Sequence, residues 1–356
     1  MVKLGVLKGD YIGPEITNEA IKVLEAVKNK YSYDIELEYI EASGEAYDKY
    51  GEVLPQISVE KCKKCDVLLK GPFGGPTELV NDPKWRNIER DAILPLRKIF
   101  DLYTNLRYVK TVKELLDFSN VKREVIDGVD ILIVRELVSG IYFGERGERR
   151  TEHGRECYDV EKYNEFEIER IAKKAFGFAM QRRKKVTLIG KSNILTSSVL
   201  WREVVNKVAK NYPAVVLDYM HVDNASMQLI LNPKQFDVIL TTNMFGDILS
   251  DEASVLSGSI GLFPSASLGE NNFGLYEPIH GSAPTIAGKN IANPISSILC
   301  VSMMFEYSLG RPDIAKNIDD AVSKTFEQGY RTADIAKKGE NTIGTVEMGE
   351  MIRRNL

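Results

Sequence analysis

The sequence predicts an α/β protein built on a largely parallel sheet without a Rossmann fingerprint. Three observations carry that expectation: short apolar runs of strand length recur along the chain, amphipathic segments of helical period lie between them, and glycines cluster at a few loops. The strand-like runs are 4–7, 35–40, 67–69, 131–134, 186–189, 215–217 and 238–240. Apolar residues at helical spacing mark 16–27, 167–180 and 199–208 as helices. After residue 257 the chain reads as helix-rich, and the nearly continuous apolar stretch 295–304 predicts a buried helix. Glycines punctuate 9–13, 71–75 and 258–288, where backbone must pass close to something. The turn Gly9-Asp10-Tyr11-Ile12-Gly13 lacks the third-glycine spacing of a dinucleotide loop, and no Gly-x-x-x-x-Gly-Lys phosphate loop occurs.

A chain of 356 residues is too long for one small core and predicts two or three domains. With 44% hydrophobic and 28% charged residues it reads as soluble and globular rather than disordered. No apolar run approaches the roughly 20 residues that cross a bilayer, and Met1 to Leu7 runs straight into a strand-like segment without a secretory signal. The expected location is therefore the cytoplasm. A net charge of −4 offers no general attraction to nucleic acid, and Arg182-Arg183-Lys184-Lys185 reads as a solvated helix end. Cys62 and Cys65 form a Cys-x-x-Cys with no second pair at zinc-ribbon spacing, so they read as structural. Only His153, His221 and His280 occur, which excludes a histidine-rich metal site.

Asp247 and Asp251 stand four residues apart just after the strand-like run 236–240. If they open the following helix, both carboxylates project from one face, in outline a site for Mg²⁺ or Mn²⁺. The alternative is an acidic first turn favoured by the helix dipole. Asp223, after the run 215–217, offers a third carboxylate at a strand-to-helix junction, where ligand sites of α/β sheets lie. Arg97, Arg107 and Arg135 sit in or beside apolar stretches, where a guanidinium needs an anion. They read either as a bidentate clamp for a dicarboxylate or as three internal ion pairs. Lys191, at the carboxyl end of the run 186–189, is a candidate proton acceptor. Tyr142 is a candidate proton donor or a core aromatic with a satisfied hydroxyl.

With these residues assembled, the chain resembles the β-decarboxylating dehydrogenases over essentially its whole length, and within that family the isopropylmalate branch. The most specific segments are 232–254, Leu275-Tyr276-Glu277-Pro278-Ile279-His280-Gly281-Ser282-Ala283-Pro284 and Gly288-Lys289-Asn290-Ile291-Ala292-Asn293-Pro294, with Arg135-Glu136-Leu137 leading to Gly140-Ile141-Tyr142-Phe143-Gly144. The resemblance implies a two-domain isopropylmalate dehydrogenase-like fold. Its cofactor domain would comprise 1–102 plus 258–356, and its substrate, metal and dimer domain 103–257. It implies NAD-dependent oxidative decarboxylation of 3-isopropylmalate in leucine biosynthesis with Mg²⁺ or Mn²⁺. Tyr142 and Lys191 would be catalytic; Asp223, Asp247 and Asp251 would bind metal; Arg97, Arg107, Arg135 and Asp223 would bind substrate. Ile93 and Leu94 would wall the branched alkyl group, at about 0.8 kcal/mol per buried methylene. Ile12, Gly74, Gly75, His280, Gly281, Ser282, Ala283, Thr285, Ile286 and Asn293 would line the NAD site, with His280 near the adenine. The active unit would be a homodimer in which Lys191 and Asp223 reach the partner's site.

Six positions depart from the branch's usual pattern. Thr285 stands where NAD-specific members carry an aspartate, Arg90 where a glutamate is expected near the nicotinamide, and Gly190 where an aspartate precedes the lysine. Val138 replaces a threonine, Thr242 a glutamate, and Tyr11 a glycine of the first turn. These leave open a sibling enzyme acting on another 3-substituted malate, a tartrate or a homoisocitrate-like 2-hydroxy diacid.

Overall fold

Residues 1–356 are described by a computed structural model. In chain order its strands are β1 (Val2–Leu7), β2 (Ile35–Tyr39), β3 (Val67–Lys70), β4 (Thr104–Lys110), β5 (Asp130–Glu136), β6 (Arg146–Thr151), β7 (Gly154–Asp159), β8 (Lys185–Gly190), β9 (Val216–His221), β10 (Val238–Thr241), β11 (Pro264–Leu268) and β12 (Gly274–Pro278). The chain divides into two compact units.

The first unit comprises Met1–Leu102, Val112–Asn120 and Ser257–Leu356. Its strands are ordered β2-β1-β3-β12-β11, parallel except for the β11–β12 pair. Every position of β3 is buried, which is why it reads as an unbroken apolar run. The helix Ile295–Tyr307 is apolar around almost its whole circumference and packs between β11, β12 and the helix Gly13–Tyr31, as its sequence predicts. Cys62 and Cys65 join Leu7, Leu68 and Leu96 in one apolar cluster. Burial pushes their thiols up to about 12 and about 11, so both are inert core residues.

The second unit comprises Tyr103–Thr111 and Val121–Leu256, with the order β4-β5-β10-β8-β9. β4 is antiparallel to β5, and the other four run parallel. Their carboxyl ends therefore lie along one edge, from which Arg135, Lys191, Asp223 and the helix Asn243–Ser254 emerge.

Five strands lie outside the predicted runs: β4, β6, β7, and β11 and β12, which fall in the portion after residue 257 expected to be helix-rich. β4 escapes because Asn105 and Arg107 interrupt its apolar residues, yet both are buried and hydrogen-bonded to each other. The β6–β7 hairpin escapes because charged residues occupy both faces and leave no alternation to read. The basic run is also corrected. The preceding helix ends at Met180, and Arg182 is mostly buried against Asp130 and Asp237 rather than solvated. No helix is long and apolar enough to cross a membrane.

Candidate functional site

The helix after β10 starts at Asn243 with Thr242 as its N-cap. Asp247 and Asp251 thus occupy its second and third turns rather than opening it, and a first-turn dipole effect no longer accounts for them. Asp247 is the hub of a charged cluster. Its Oδ1 accepts from Arg135 Nη1 at 2.6 Å and Arg107 Nη2 at 3.2 Å, and its Oδ2 accepts from the Tyr142 hydroxyl at 2.9 Å. Arg107 Nη1 also donates to Asp251 Oδ1 at 2.9 Å and Ser250 Oγ at 2.7 Å. Burial and the charge of Asp247 push the Asp251 carboxyl upward, against the pull of Arg107 and Arg135. Two carboxylates one turn apart, the charge of Asp247 raising the proton affinity of Asp251, are a donor set that a divalent cation would relieve; hard oxygens suit Mg²⁺ or Mn²⁺.

Arg135 is 1% exposed and crosses the start of this helix. Asn243 Oδ1 accepts from its Nε at 3.2 Å and its Nη2 at 2.7 Å. Gly246 makes room for the arginine's stem: a Cβ there would stand 2.5 Å from Arg135 Cγ. Mid-helix Gly→Ala is ordinarily stabilising by up to about 1 kcal/mol. Here Gly246→Ala is expected to destabilise by about 1–3 kcal/mol through overpacking. It should also raise the substrate KM, both effects being read from thermal unfolding and steady-state kinetics; an unchanged Tm and KM would contradict this packing.

Lys191 follows β8, with its backbone N–H on Ser198 Oγ at 3.0 Å. Its Nζ pairs with Asp223 Oδ1 at 2.5 Å, and this hydrogen bond holds the Asp223 carboxyl below its usual range. Asp223 therefore does not join Asp247 and Asp251 within one chain, and no group of three histidine, cysteine or acidic side chains is disposed to hold an ion there. The expectation of three carboxylates on one cation is not met by a single chain.

In the first unit, Arg97 donates from Nη2 to Glu277 Oε1 at 3.3 Å, while its buried Nε has no acceptor. Glu277 also pairs with buried Lys70 at 2.6 Å. Burial alone would raise the Glu277 carboxyl, but Lys70 and Arg97 hold it at about 2. All three arginines thus make internal ion pairs, and sequence reasoning named neither Lys70 nor Glu277 as the company of Arg97. Three loops converge nearby. Asp10 Oδ2 accepts from the Gly74 N–H at 2.9 Å, the Asp10 N–H donates to Pro72 O at 2.8 Å, and the Ile12 N–H donates to Ser282 O at 3.1 Å. Ile12 packs with Ile16 and Ala292 against Ala283 and Ile286. Gly75 is required by Trp85, whose ring would stand 2.3 Å from a Cβ there, whereas Gly281 faces open space. His280 Nε2 is buried without a partner, and burial lowers the imidazole's basicity, leaving it neutral. An orphaned ring nitrogen beside an open glycine fits a nucleotide ligand. Asn293 is already engaged: its Oδ1 accepts from the Ile295 N–H and its Nδ2 donates to Asp334, each at 3.0 Å.

The departures acquire physical meaning. Tyr11 adopts φ +52°, the left-handed region in which glycine is the unstrained residue. Arg90 lies on a π-helical turn, Glu89–Ile93, and its 49% exposed guanidinium pairs with Asp91 at 2.9 Å. In the ligand-free chain it is a solvated charge beside its own counter-ion. The same turn leaves Ile93 and Leu94 half-buried, Ile93 against the apolar core. Thr285 is exposed on the turn Pro284–Ile286.

The isocitrate/isopropylmalate dehydrogenase family model matches residues 3–352. The chain is 48% identical over 360 residues to a 3-isopropylmalate dehydrogenase of Clostridium pasteurianum, covering 99% of each. It is 51% identical to one of Pseudomonas fluorescens, covering 98% of this chain and 96% of that protein. Among solved structures it is similar to an isocitrate dehydrogenase from Methylococcus capsulatus, with TM-score 0.88 and 34% identity over 100% and 99% of the two chains. A β-decarboxylating dehydrogenase from Thermococcus kodakarensis gives TM-score 0.80 at 34% identity over 100% and 96%.

Proposed function

The chain belongs to the isocitrate/isopropylmalate dehydrogenase family, and from that premise we infer that it catalyses the NAD-dependent oxidative decarboxylation of 3-isopropylmalate to 2-oxo-4-methylpentanoate, a step of leucine biosynthesis. The observation that carries the reading is the cluster on Asp247: two guanidinium forks, two carboxylates and a tyrosine hydroxyl in one place. A 2-hydroxy dicarboxylate needs these groups. Arg97, Arg107 and Arg135 hold its carboxylates bidentately. Ile93 and Leu94 favour an isopropyl group over a third carboxylate, which an apolar wall would leave unpaired. Lys191 takes the proton of the C2 hydroxyl, and Tyr142 returns one to the carbon that has lost carbon dioxide. Asp247 and Asp251 would hold Mg²⁺ or Mn²⁺, which when bound would supply Lewis-acid polarisation of the C2 oxygen, with NAD as the hydride acceptor. NAD is favoured over NADP because apolar Ile286 leaves nothing at its position to pair a 2′-phosphate.

We assign the third metal carboxylate, Asp223, and the base Lys191 to the site of a second copy of the chain. Two features support a homodimer. Met227 and Leu231 on the helix Val222–Leu231 and Ile248 on the helix Asn243–Ser254 are each more than half exposed, on the two helices that carry the metal carboxylates. The β6–β7 hairpin is a sheet of only two strands, marginal without further pairing. All four cysteines are free thiols, which suits the reducing cytoplasm where we place the enzyme.

The test is NADH or NADPH formation with a panel of 3-isopropylmalate, isocitrate, homoisocitrate, tartrate and malate, each with NAD or NADP and Mg²⁺ or Mn²⁺. The highest kcat/KM is expected for 3-isopropylmalate with NAD. A preference for a tricarboxylate would overturn the apolar-wall argument.

A further inference from the structure

Glu136 ends β5 and is 0% exposed. Its carboxylate accepts the backbone N–H of Val138 at 3.0 Å and of Ser139 at 2.9 Å, two successive amides of the loop that enters the turn Gly140–Tyr142. A short hydrogen-bond relay links this loop to the site. Ser139 O accepts from Asn243 Nδ2 at 3.0 Å, and Asn243 Oδ1 in turn holds Arg135. Arg135 and Tyr142 then meet on Asp247. From the other side the Tyr163 hydroxyl accepts the Asn243 N–H at 2.9 Å and lies so close to Gly140 that a Cβ there would stand 2.2 Å away. A buried carboxylate is costly, and this one spends its acceptors on loop backbone next to the site.

We propose that Glu136 is a positioning residue of the active site: its ionised carboxylate clamps the 137–142 loop so that Tyr142 and Arg135 are presented on Asp247, and protonation loosens the clamp. The groups facing it are Glu167 and Arg170 of the helix Glu165–Met180, and Tyr163 before that helix. Burial pushes its carboxyl up to about 7, with Glu167 adding to the shift and Arg170 and the two N–H bonds opposing it. The clamp is therefore complete above that pH and lost as pH falls through it. Only the kinetic consequence rests on the functional reading above.

The test is Glu136→Gln, which keeps the size but sets an NH₂ against one loop N–H. In the ligand-free protein at about pH 8, amide exchange in 137–142 is expected to rise roughly tenfold, the equivalent of about one hydrogen bond. With 3-isopropylmalate, kcat should fall by roughly the same factor while the KM for NAD stays constant, and the decline of wild-type kcat through about pH 7 should be absent from the variant. Unchanged loop exchange, or the same acid limb in both proteins, overturns the proposal. Should the variant not fold, wild-type exchange in 137–142, corrected for intrinsic rate, decides: loosening below about pH 7 supports the clamp, and its absence overturns it. A wild type with the expected exchange but no turnover of 3-isopropylmalate sinks the functional reading and leaves the clamp standing.

Discussion

Replacing Asp247 with asparagine is expected to lower kcat/KM by about 10³-fold or more while the chain stays folded. The substitution removes a counter-charge of Arg135, which is 1% exposed, and one of the two carboxylates paired with Arg107, and it removes a carboxylate donor for the cation. Asparagine still offers an acceptor to Arg135, so the loss of stability should stay near 1–3 kcal/mol rather than the larger cost of an unpaired buried charge. Raising Mg²⁺ should not restore the rate. Steady-state kinetics beside thermal unfolding measure both parts. A variant within tenfold of the wild-type kcat/KM would remove Asp247 from the metal and substrate site.

Lys191→Met is expected to lower kcat by about 10³-fold and change the substrate KM little, since the lysine moves a proton rather than holding the acid. Stability should hardly change, because its partner Asp223 is 63% exposed and such a pair contributes little. Combining the two inactive proteins tests more. If Lys191 serves the neighbouring site, a mixed dimer of Lys191→Met and Asp247→Asn chains holds one intact site. Unfolding and refolding the two together should then recover about a quarter of wild-type activity by random pairing. No recovery would place Lys191 and Asp247 in the site of a single chain.

Much of the site was legible because its chemistry needs residue types that are expensive elsewhere. Arginines in apolar stretches and carboxylates one helical turn apart announce themselves by cost and spacing. What sequence left open was partnership. Arg107 and Arg135 could be a clamp or ion pairs, and they turn out to rest on Asp247 and Asp251, the very carboxylates assigned to the cation. The ligand-free cluster is neutralised within itself. Gly246 gave a faint signal as a glycine inside a helical pattern, but only the path of Arg135 explains it. Glu136 gave none, since its role lies in accepting two backbone amides. The parallel strands β3, β5, β8 and β10 were visible as apolar runs because both of their faces are covered; β6 and β7, charged on both faces, had no such pattern. The linear position of Arg90 says nothing about the π-helical turn that sets it beside Asp91.

The central claim is that carboxylates grip a divalent cation through which a hydroxy diacid is oxidised and decarboxylated. Exhaustive chelation with EDTA, followed by assay of NADH and carbon dioxide from 3-isopropylmalate, tests it most directly. Turnover should vanish on chelation and return with Mg²⁺ or Mn²⁺, with one carbon dioxide released per NADH. Undiminished turnover in the chelated enzyme would contradict it.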